Sequence, residues 1–148
     1  MLAVVQRVLS ASVSVAGEAI ANIDQGLLVF VCAEPDDTPE QADALLSKIL
    51  KLRIFDDAEG KMNDNLQQIN GGLLLVSQFT LAADTRRGNR PGFSQAAPPD
   101  LGRFLFDYLV SQAKLHHNPV QTGSFGANMQ VSLINDGPVT IPLSIPSR

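Results

Sequence analysis

The sequence predicts a mixed α/β domain that is rich in β-strands and carries about two helices. Apolar and polar residues alternate over the first fifteen residues, as expected of a strand with one buried face. Two short continuous apolar runs indicate strands buried on both faces, and two longer segments show helical spacing. The chain has 148 residues, of which 45% are hydrophobic. That is enough for one core, and we expect a single domain over residues 1–148.

The first third of the chain reads as three strands joined by turns. Alternation begins at Ala3 and continues to Val15, with an irregularity expected near Ser10-Ala11. A turn at 16–18 leads to a strand over 19–23, and a turn at 24–26 leads to the buried strand Leu27–Ala33. Cys32 lies in that strand, so we interpret it as a small core residue rather than a nucleophile.

Two segments carry helix signals. Thr38 is a suitable N-cap, Pro39 suits the first helical position, and Gln41 completes a capping box. A second helix is predicted to begin near Pro99-Asp100. The residues expected on the buried faces are Ala42, Leu45, Leu46, Ile49 and Leu52 in the first helix and Leu101, Phe104, Leu105, Tyr108 and Leu109 in the second.

The remaining chain is predicted to form strands around one long loop. Residues 82–98 have no period, and a loop of this length inside a domain is usually functional. The predicted strands are Arg53–Phe55, Leu73–Val76 after Gly71-Gly72, Val120–Phe125, Met129–Ile134 and Val139–Ile145.

Charge restricts the possible partners. The formal net charge is −4, and an acidic protein is a poor general binder of nucleic acid, because nonspecific affinity comes from Lys and Arg. Any RNA contact is therefore expected to be local, and Arg86, Arg87 and Arg90 form one cluster. The N-terminus does not resemble a signal peptide and no apolar run is long enough to span a membrane, so we expect a cytoplasmic protein without a membrane partner.

Ser77-Gln78-Phe79-Thr80 is the strongest candidate for chemistry. It follows a buried strand and precedes the arginine-containing loop, the position where mixed α/β folds place their sites. The alternative is an ordinary strand with alternating polar residues. No His, Lys or Glu stands beside Ser77 or Thr80 in sequence, and a hydroxyl needs a base to act as a nucleophile.

The other polar groups suggest less. His116 and His117 follow the second helix, where histidine commonly meets the helix dipole and solvent. No spacing matches a metal site, and we expect no metal and no cofactor. Gly137-Pro138 is either a simple turn or a cis peptide that fixes an unusual backbone direction, and the sequence leaves both open.

From end to end, the chain resembles the D-aminoacyl-tRNA deacylases, also called D-tyrosyl-tRNA deacylases. Two long motifs occur in the family's order in a chain of the family's length. The stretches that carry the resemblance are Gln6–Val8, Arg53–Phe55, Gly60–Asn63, Ser77–Thr85, Arg90-Pro91, Phe93-Ser94, Met129–Val131 and Asn135–Thr140.

The resemblance implies a compact β-rich domain with barrel-like sheets, acting as a homodimer. It implies an enzyme that hydrolyses the ester between tRNA and a D-amino acid or glycine, including glycine mischarged on alanine tRNA. Residues Ser77–Thr80 would be catalytic and would hold the 3′-terminal adenosine. Substrate contacts would come from Phe79, Ala97, Met129, Arg86, Arg87 and Arg90, and selectivity for D over L from a Gly137-cis-Pro138 pair that Arg7 holds and that enters the partner subunit's pocket.

The resemblance also favours one mechanism. Backbone N–H groups near Phe79 and Thr80 would stabilise the oxyanion, and the terminal ribose 2′-hydroxyl would assist water, so no side chain would be the nucleophile. Departures from the family pattern at Gly92, Gln95 and Ala96 put one phosphate contact in doubt. The alternatives are an RNA-binding or adaptor protein that kept the fold and lost activity, the related deacylase for L-alanine on threonine tRNA, and a serine hydrolase. The intact motifs and the missing Gly-x-Ser-x-Gly pattern argue against all three.

Overall fold

A computed structural model describes residues 1–147, which form one six-stranded sheet, one two-stranded sheet, two α-helices and one 3₁₀ turn. The strands are β1 (Leu2–Val15), β2 (Glu18–Ile23), β3 (Gly26–Cys32), β4 (Phe55–Asp56), β5 (Met62–Asp64), β6 (Gly72–Ser77), β7 (Val120–Thr122) and β8 (Gln130–Ser144). The helices are α1 (Pro39–Lys51) and α2 (Pro99–His116), and the 3₁₀ turn covers Phe79–Ala82.

The long strand β1 organises the main sheet. Its first half pairs with β3, its second half pairs with β2, and β8 runs antiparallel along its other edge. Beyond β3 the order continues to β6 and β7, and these two pairings are parallel. A strand that pairs with different neighbours along its length forces the sheet to curve, since every strand in a sheet also twists.

Apolar side chains fill both faces of this curved sheet. One cluster lies between the sheet and the helices and includes Val29, Leu45, Leu75 and Leu109. The other is enclosed by strands alone, with buried members from β1, β2, β3 and β6 and half-buried ones from β8, among them Val13, Leu28 and Leu74. A core surrounded by strands is what makes the sheet barrel-like, and the predicted β-rich α/β architecture is confirmed.

Helix α1 follows the prediction closely. Thr38 is its N-cap, with Gln41 completing the capping box, and Ala42, Leu45, Leu46 and Ile49 are buried. Leu52 is the half-buried C-cap instead of a member of the buried face.

In α2 one expected core residue was wrong. Phe104 is 56% exposed, whereas Phe106 is buried at 5% exposure beside Leu105 and Leu109. The prediction placed Phe104 on the buried face in place of Phe106, because in the apolar run Phe104–Phe106 either phenylalanine could face the core.

The predicted strands need three corrections. Arg53-Ile54 is not strand, and β4 begins only at Phe55. The strand predicted over 120–125 ends at Thr122. The two strands predicted on either side of Gly137-Pro138 are one continuous β8, with the register slipping where Val8 pairs with Asn135 and Gln6 with Thr140. A bulge replaces the simple turn, because both flanks pair with the same strand β1.

Among residues 1–147, neither helix is both long and apolar enough to cross a membrane.

Candidate functional site

The candidate site lies where the parallel strands β3 and β6 end. The Gln78 amide still bonds the Val31 carbonyl at 2.8 Å, and the chain then leaves the sheet as the 3₁₀ turn Phe79–Ala82. The loop at 83–98 returns to the same edge, where the Ala97 amide donates to the Ala33 carbonyl at 2.8 Å. Two connections therefore frame the carboxyl ends of these strands, the usual place for a site in such sheets.

A cleft of about 530 Å³ opens at this edge. Its walls are mostly apolar, as small-molecule sites usually are, with a few polar groups from Ser77, Gln78 and Thr80. The lining residues are Cys32, Ala33, Ser77, Gln78, Phe79, Thr80, Phe93, Ala96, Ala97, Pro99, Gly102, Phe125, Gly126, Ala127 and Met129.

Three aromatic rings line the cleft. Phe79 and Phe93 meet edge to face with centroids 5.0 Å apart, and they are 57% and 37% exposed. Phe125 forms part of the wall contributed by α2 and the segment before β8. Exposed rings at a cleft leave a hydrophobic face that a planar ligand can cover.

The backbone of the 3₁₀ turn presents amide groups at the same place. The first hydrogen bond of the turn runs from the Leu81 amide to the Gln78 carbonyl at 3.3 Å, so the amides of Phe79 and Thr80 lie ahead of it. Gln78, the N-cap, makes no side-chain capping bond. Instead its Nε2 donates to Thr80 Oγ1 at 3.0 Å. The neighbour of the Thr80 hydroxyl is thus an amide, which is not a base.

Cys32 is the one titratable side chain among the residues that line this cleft in the described chain. Its Sγ approaches the carbonyl oxygens of Ala33 and Phe79 at 3.4 and 3.6 Å. Burial, and next the negative charge of Glu34, raise the pKa of Cys32 to about 11. At neutral pH the group is a protonated thiol and a weak donor, which agrees with the expectation of a non-nucleophilic core cysteine.

The arginine cluster lies on the loop outside the cleft. Arg86 forms a bidentate pair with Asp84, with Nε and Nη2 donating at 2.9 and 2.8 Å. Hydrogen bonds from Arg86 hold the pKa of the Asp84 carboxyl below its usual range. Arg87 and Arg90 are exposed, and none of the three arginines lines the cleft. The backbone bridge between Asp84 and Gly92 closes this loop.

Gly137-Pro138 lies in the bulge of β8, and its peptide bond is cis. Both residues are exposed. Gly137 has φ +130°, and a Cβ there would lie 2.8 Å from Val139 Cγ2 and 3.2 Å from Arg7 Nη2. Only glycine fits this backbone without displacement.

Arg7 ties this bulge to the body of the protein. Its side chain is buried, with Nη1 donating to the Ile54 carbonyl at 2.8 Å and Nε to the Asp136 carbonyl at 3.1 Å. The carboxylate of Asp136 is 3.4 Å from the same Nε. These bonds hold the residue directly before Gly137, so the exposed pair stands on a rigid support.

Within one chain, the cleft and Gly137-Pro138 lie apart. In the pairing of β1 with β3, Leu2 is opposite Cys32 at the cleft, whereas Arg7 is opposite Leu27. Five residues of strand separate these positions by about 16 Å. Arg7, Gly137 and Pro138 are accordingly absent from the walls of the cleft.

The cleft therefore brings together all four residues of Ser77–Thr80 with Ala97 and Met129, which the sequence analysis named as candidate site residues. The sequence did not identify Phe93, Phe125 or the residues of α2 as part of it. Phe125 stands between Gly123 and Gly126, a glycine-flanked ring that could have been noticed as a wall residue. Nothing in the sequence around Pro99 and Gly102 indicated more than the start of a helix, so their place in the cleft was not predictable.

Three comparisons relate the chain to known proteins. The family model of D-Tyr-tRNA(Tyr) deacylase matches residues 4–144. Curated proteins named D-aminoacyl-tRNA deacylase are similar along their whole length. The one from Pseudomonas fluorescens is 63% identical and covers 97% of this chain and 99% of that protein. The one from Polaromonas naphthalenivorans is 62% identical and covers 98% and 97%.

Solved structures share the fold. One described as the c-Myc DNA Unwinding Element Binding Protein has a TM-score of 0.94 and 40% identity, covering 99% of both chains. Another, described as a probable eukaryotic D-amino acid tRNA deacylase, has a TM-score of 0.84 at 17% identity, covering 97% of this chain and 98% of that one. At that identity the likeness concerns the fold alone.

Proposed function

The chain belongs to the D-Tyr-tRNA(Tyr) deacylase family and is a hydrolase of the aminoacyl ester, and we propose that its cleft holds the 3′-terminal adenosine of tRNA with the attached D-amino acid. The observation that carries this proposal is the exposed Phe79 ring beside the Phe79 and Thr80 amides, which precede the first hydrogen bond of the turn after β6. A single-stranded tRNA end offers an unstacked base for the ring and an ester for the amides.

The chemistry is proposed to rest on the backbone. Water adds to the ester carbonyl, and the amides of Phe79 and Thr80 stabilise the resulting oxyanion. The bond to the ribose oxygen then breaks, that oxygen takes up a proton, and free tRNA and the amino acid leave. The vicinal 2′-hydroxyl assists the proton transfers. Thr80 lacks the base that a nucleophilic hydroxyl needs, since its partner is the Gln78 amide.

Selectivity for the D configuration is assigned to Gly137-Pro138 of a second copy of the chain. Two features support a shared site. The pair is exposed and held through the Arg7 hydrogen bonds, and Arg7 lies about 16 Å along β1 from Leu2, the position opposite the cleft residue Cys32. Leu9 and Ile134, exposed apolar residues near the bulge, offer a surface for the second copy. An L side chain would collide with the inserted pair, whereas a D side chain points elsewhere and glycine has none.

The arginine loop is proposed to meet the tRNA backbone. Arg87 and Arg90 are exposed and outside the cleft walls, which suits phosphate contacts better than contacts to the amino acid. Local contact of this kind is compatible with the net charge of −4.

The decisive experiment compares hydrolysis of D-tyrosyl-, L-tyrosyl- and glycyl-tRNA by the purified protein. We expect release from the D-tyrosyl and glycyl substrates and strong rejection of the L form. Equal rates for L and D would remove the role given to Gly137-Pro138. A mass in solution equal to one chain would remove the shared site.

Thr80→Ala tests the mechanism. Its control is Thr85→Ala, an exposed threonine on the same connection that does not line the cleft. We expect less than about a tenfold loss of kcat, because the variant keeps the backbone amides and loses only an exposed hydroxyl. Complete loss of hydrolysis with substrate binding retained would make Thr80 the nucleophile.

A binding role without catalysis is the second candidate, since one structurally similar protein is described as a DNA-binding protein. The acidic charge argues against broad contact with duplex DNA. A protein that binds duplex DNA tightly at physiological salt but releases no amino acid from D-tyrosyl-tRNA would favour this candidate.

A further inference from the structure

We propose that Arg103, which lies over the Phe125 wall of the cleft, binds the phosphate on the 5′ side of the terminal adenosine. This rests on the proposed function, because it takes the cleft as the site of that adenosine. The argument begins with where the Arg103 guanidinium is held. Its Cζ lies 4.7 Å from the centroid of the Phe125 ring, which is one wall of the cleft.

The Phe125 ring is itself fixed from the side of α2. A Cβ built on Gly102 would lie 3.5 Å from Phe125 Cζ, so the ring packs against the helix backbone. Phe106, a buried core residue, lies 6.2 Å from the same ring between centroids. The ring therefore packs against the core, and this places the cation above it beside the cleft.

The charge of Arg103 is also available. Arg103 is exposed, and none of the ion pairs among residues 1–147 includes it, although Asp100 and Asp107 occupy neighbouring helical positions. Arg86, by contrast, is engaged by Asp84. A guanidinium stacked on a ring keeps its N–H donors in a plane around the ring edge, the geometry that suits phosphate oxygens.

A nucleotide in the cleft supplies the matching anion. The terminal adenosine of a tRNA is joined to the chain by one phosphate on its 5′ side, and that phosphate must stay at the mouth of a cleft that encloses the base. Phe79, Phe93 and Phe125 all line the cleft, and Arg103 is the cation that lies over the Phe125 ring. A cation beside this wall would determine the direction in which the strand leaves.

The test compares adenosine with adenosine 5′-monophosphate, which differ only in this phosphate, by calorimetric titration. In the wild-type protein we expect the monophosphate to bind about fivefold to tenfold more tightly, as for one charge-assisted contact. Arg103→Met, which keeps an apolar stem over Phe125, should reduce that ratio to about one. Arg103→Lys, which keeps the charge but loses the planar fork, should retain only part of it. Lys114→Met removes the same charge eleven residues along α2, about 16 Å away, and should leave the ratio unchanged.

Deacylation of D-tyrosyl-tRNA gives a second readout. Arg103→Met should raise KM at unchanged kcat and make the slope of log(kcat/KM) against log salt shallower by about 0.7, the value for one single-strand phosphate. The proposal is overturned by three outcomes: a wild-type protein without preference for the monophosphate, an Arg103→Met variant with an unchanged ratio, or an equal effect of Lys114→Met. A wild-type protein that prefers the monophosphate but does not hydrolyse D-tyrosyl-tRNA would instead refute the proposed function.

Discussion

The two ends of β3 are built in opposite ways. At its carboxyl end, the cleft has exposed aromatic rings, backbone amides ahead of the first turn bond, and a Gln78–Thr80 contact on the surface. At its amino end, a buried arginine bonds two carbonyl groups and supports an exposed Gly137-Pro138. The carboxyl end leaves groups available to bind a ligand. At the amino end, the polar groups form hydrogen bonds that fix the position of Gly137-Pro138. A cleft that binds a ligand and a pair that is proposed to exclude L side chains need these different designs.

Among the substitutions at the amino end of β3, Gly137→Ala should have the largest effect on stability and on selectivity. The new Cβ would meet Val139 and Arg7 at a φ of +130°, which costs about 3 kcal/mol of the free energy of unfolding. The displaced pair should also let L-tyrosyl-tRNA be hydrolysed at least about tenfold faster than by the wild type. Chemical denaturation and the D/L assay measure the two effects.

Gly60→Ala is the matched control. Its φ is +78°, but a Cβ there has nothing within 4 Å. It should cost about 1 kcal/mol and leave selectivity unchanged. An unaltered D/L ratio in Gly137→Ala would show that this end is not the selective element.

Arg7→Met should destabilise the backbone that supports Gly137-Pro138. It removes donors from the Ile54 and Asp136 carbonyls, and we expect about 2 kcal/mol of lost stability together with weaker rejection of the L substrate. Arg53→Met also removes two hydrogen bonds, both to Asn63, but they are exposed. It should cost less than about 0.5 kcal/mol. Similar losses in both variants would contradict the idea that burial makes the Arg7 bonds matter.

Phe79→Ala should damage the cleft without unfolding the protein. Losing one stacking face should lower kcat/KM for D-tyrosyl-tRNA about tenfold to hundredfold. Phe104 is the control, because its side chain is 56% exposed against 57% for Phe79 and it does not line the cleft. Phe104→Ala should leave kcat/KM within about twofold. An equal effect of both would mean that Phe79 is only a surface residue.

The smallest effect should come from Cys32 at high pH. Burial raises the pKa of Cys32 in the folded protein from 9.0 to about 11, so the unfolded chain releases the proton first. The neutral thiol therefore contributes stability below pH 9 that is lost as pH rises toward 11. Urea unfolding measures the free energy of unfolding at pH 8 and at pH 10.5. That free energy should decrease more between the two pH values for the wild type than for Cys32→Ala. Identical decreases would indicate that the thiol is not buried at the carboxyl end of β3.

Local signals in the sequence were sufficient for much of the fold. Alternation in β1, the continuous apolar runs of β3 and β6, and the capping box of α1 each depend on neighbours within a few residues, so each was predictable. The Ser77–Thr80 segment was recognised for the same reason, and its place at a strand end followed from the run before it. In α2, two phenylalanines separated by one residue made the buried face ambiguous, and only packing against the sheet selected Phe106 over Phe104.

The tertiary structure decided what local signals do not contain. Whether Gly137-Pro138 was a turn or a bulge depended on both flanks pairing with β1, a contact more than a hundred residues distant in sequence. Phe125 lines the cleft, and Arg103 lies over its ring, because α2 packs against the segment before β8. Sequence determines which short segments can be strand, helix or turn, since those preferences are local. Which segments meet at a site depends on long-range packing. Here that packing places the cleft and Gly137-Pro138 at opposite ends of β3.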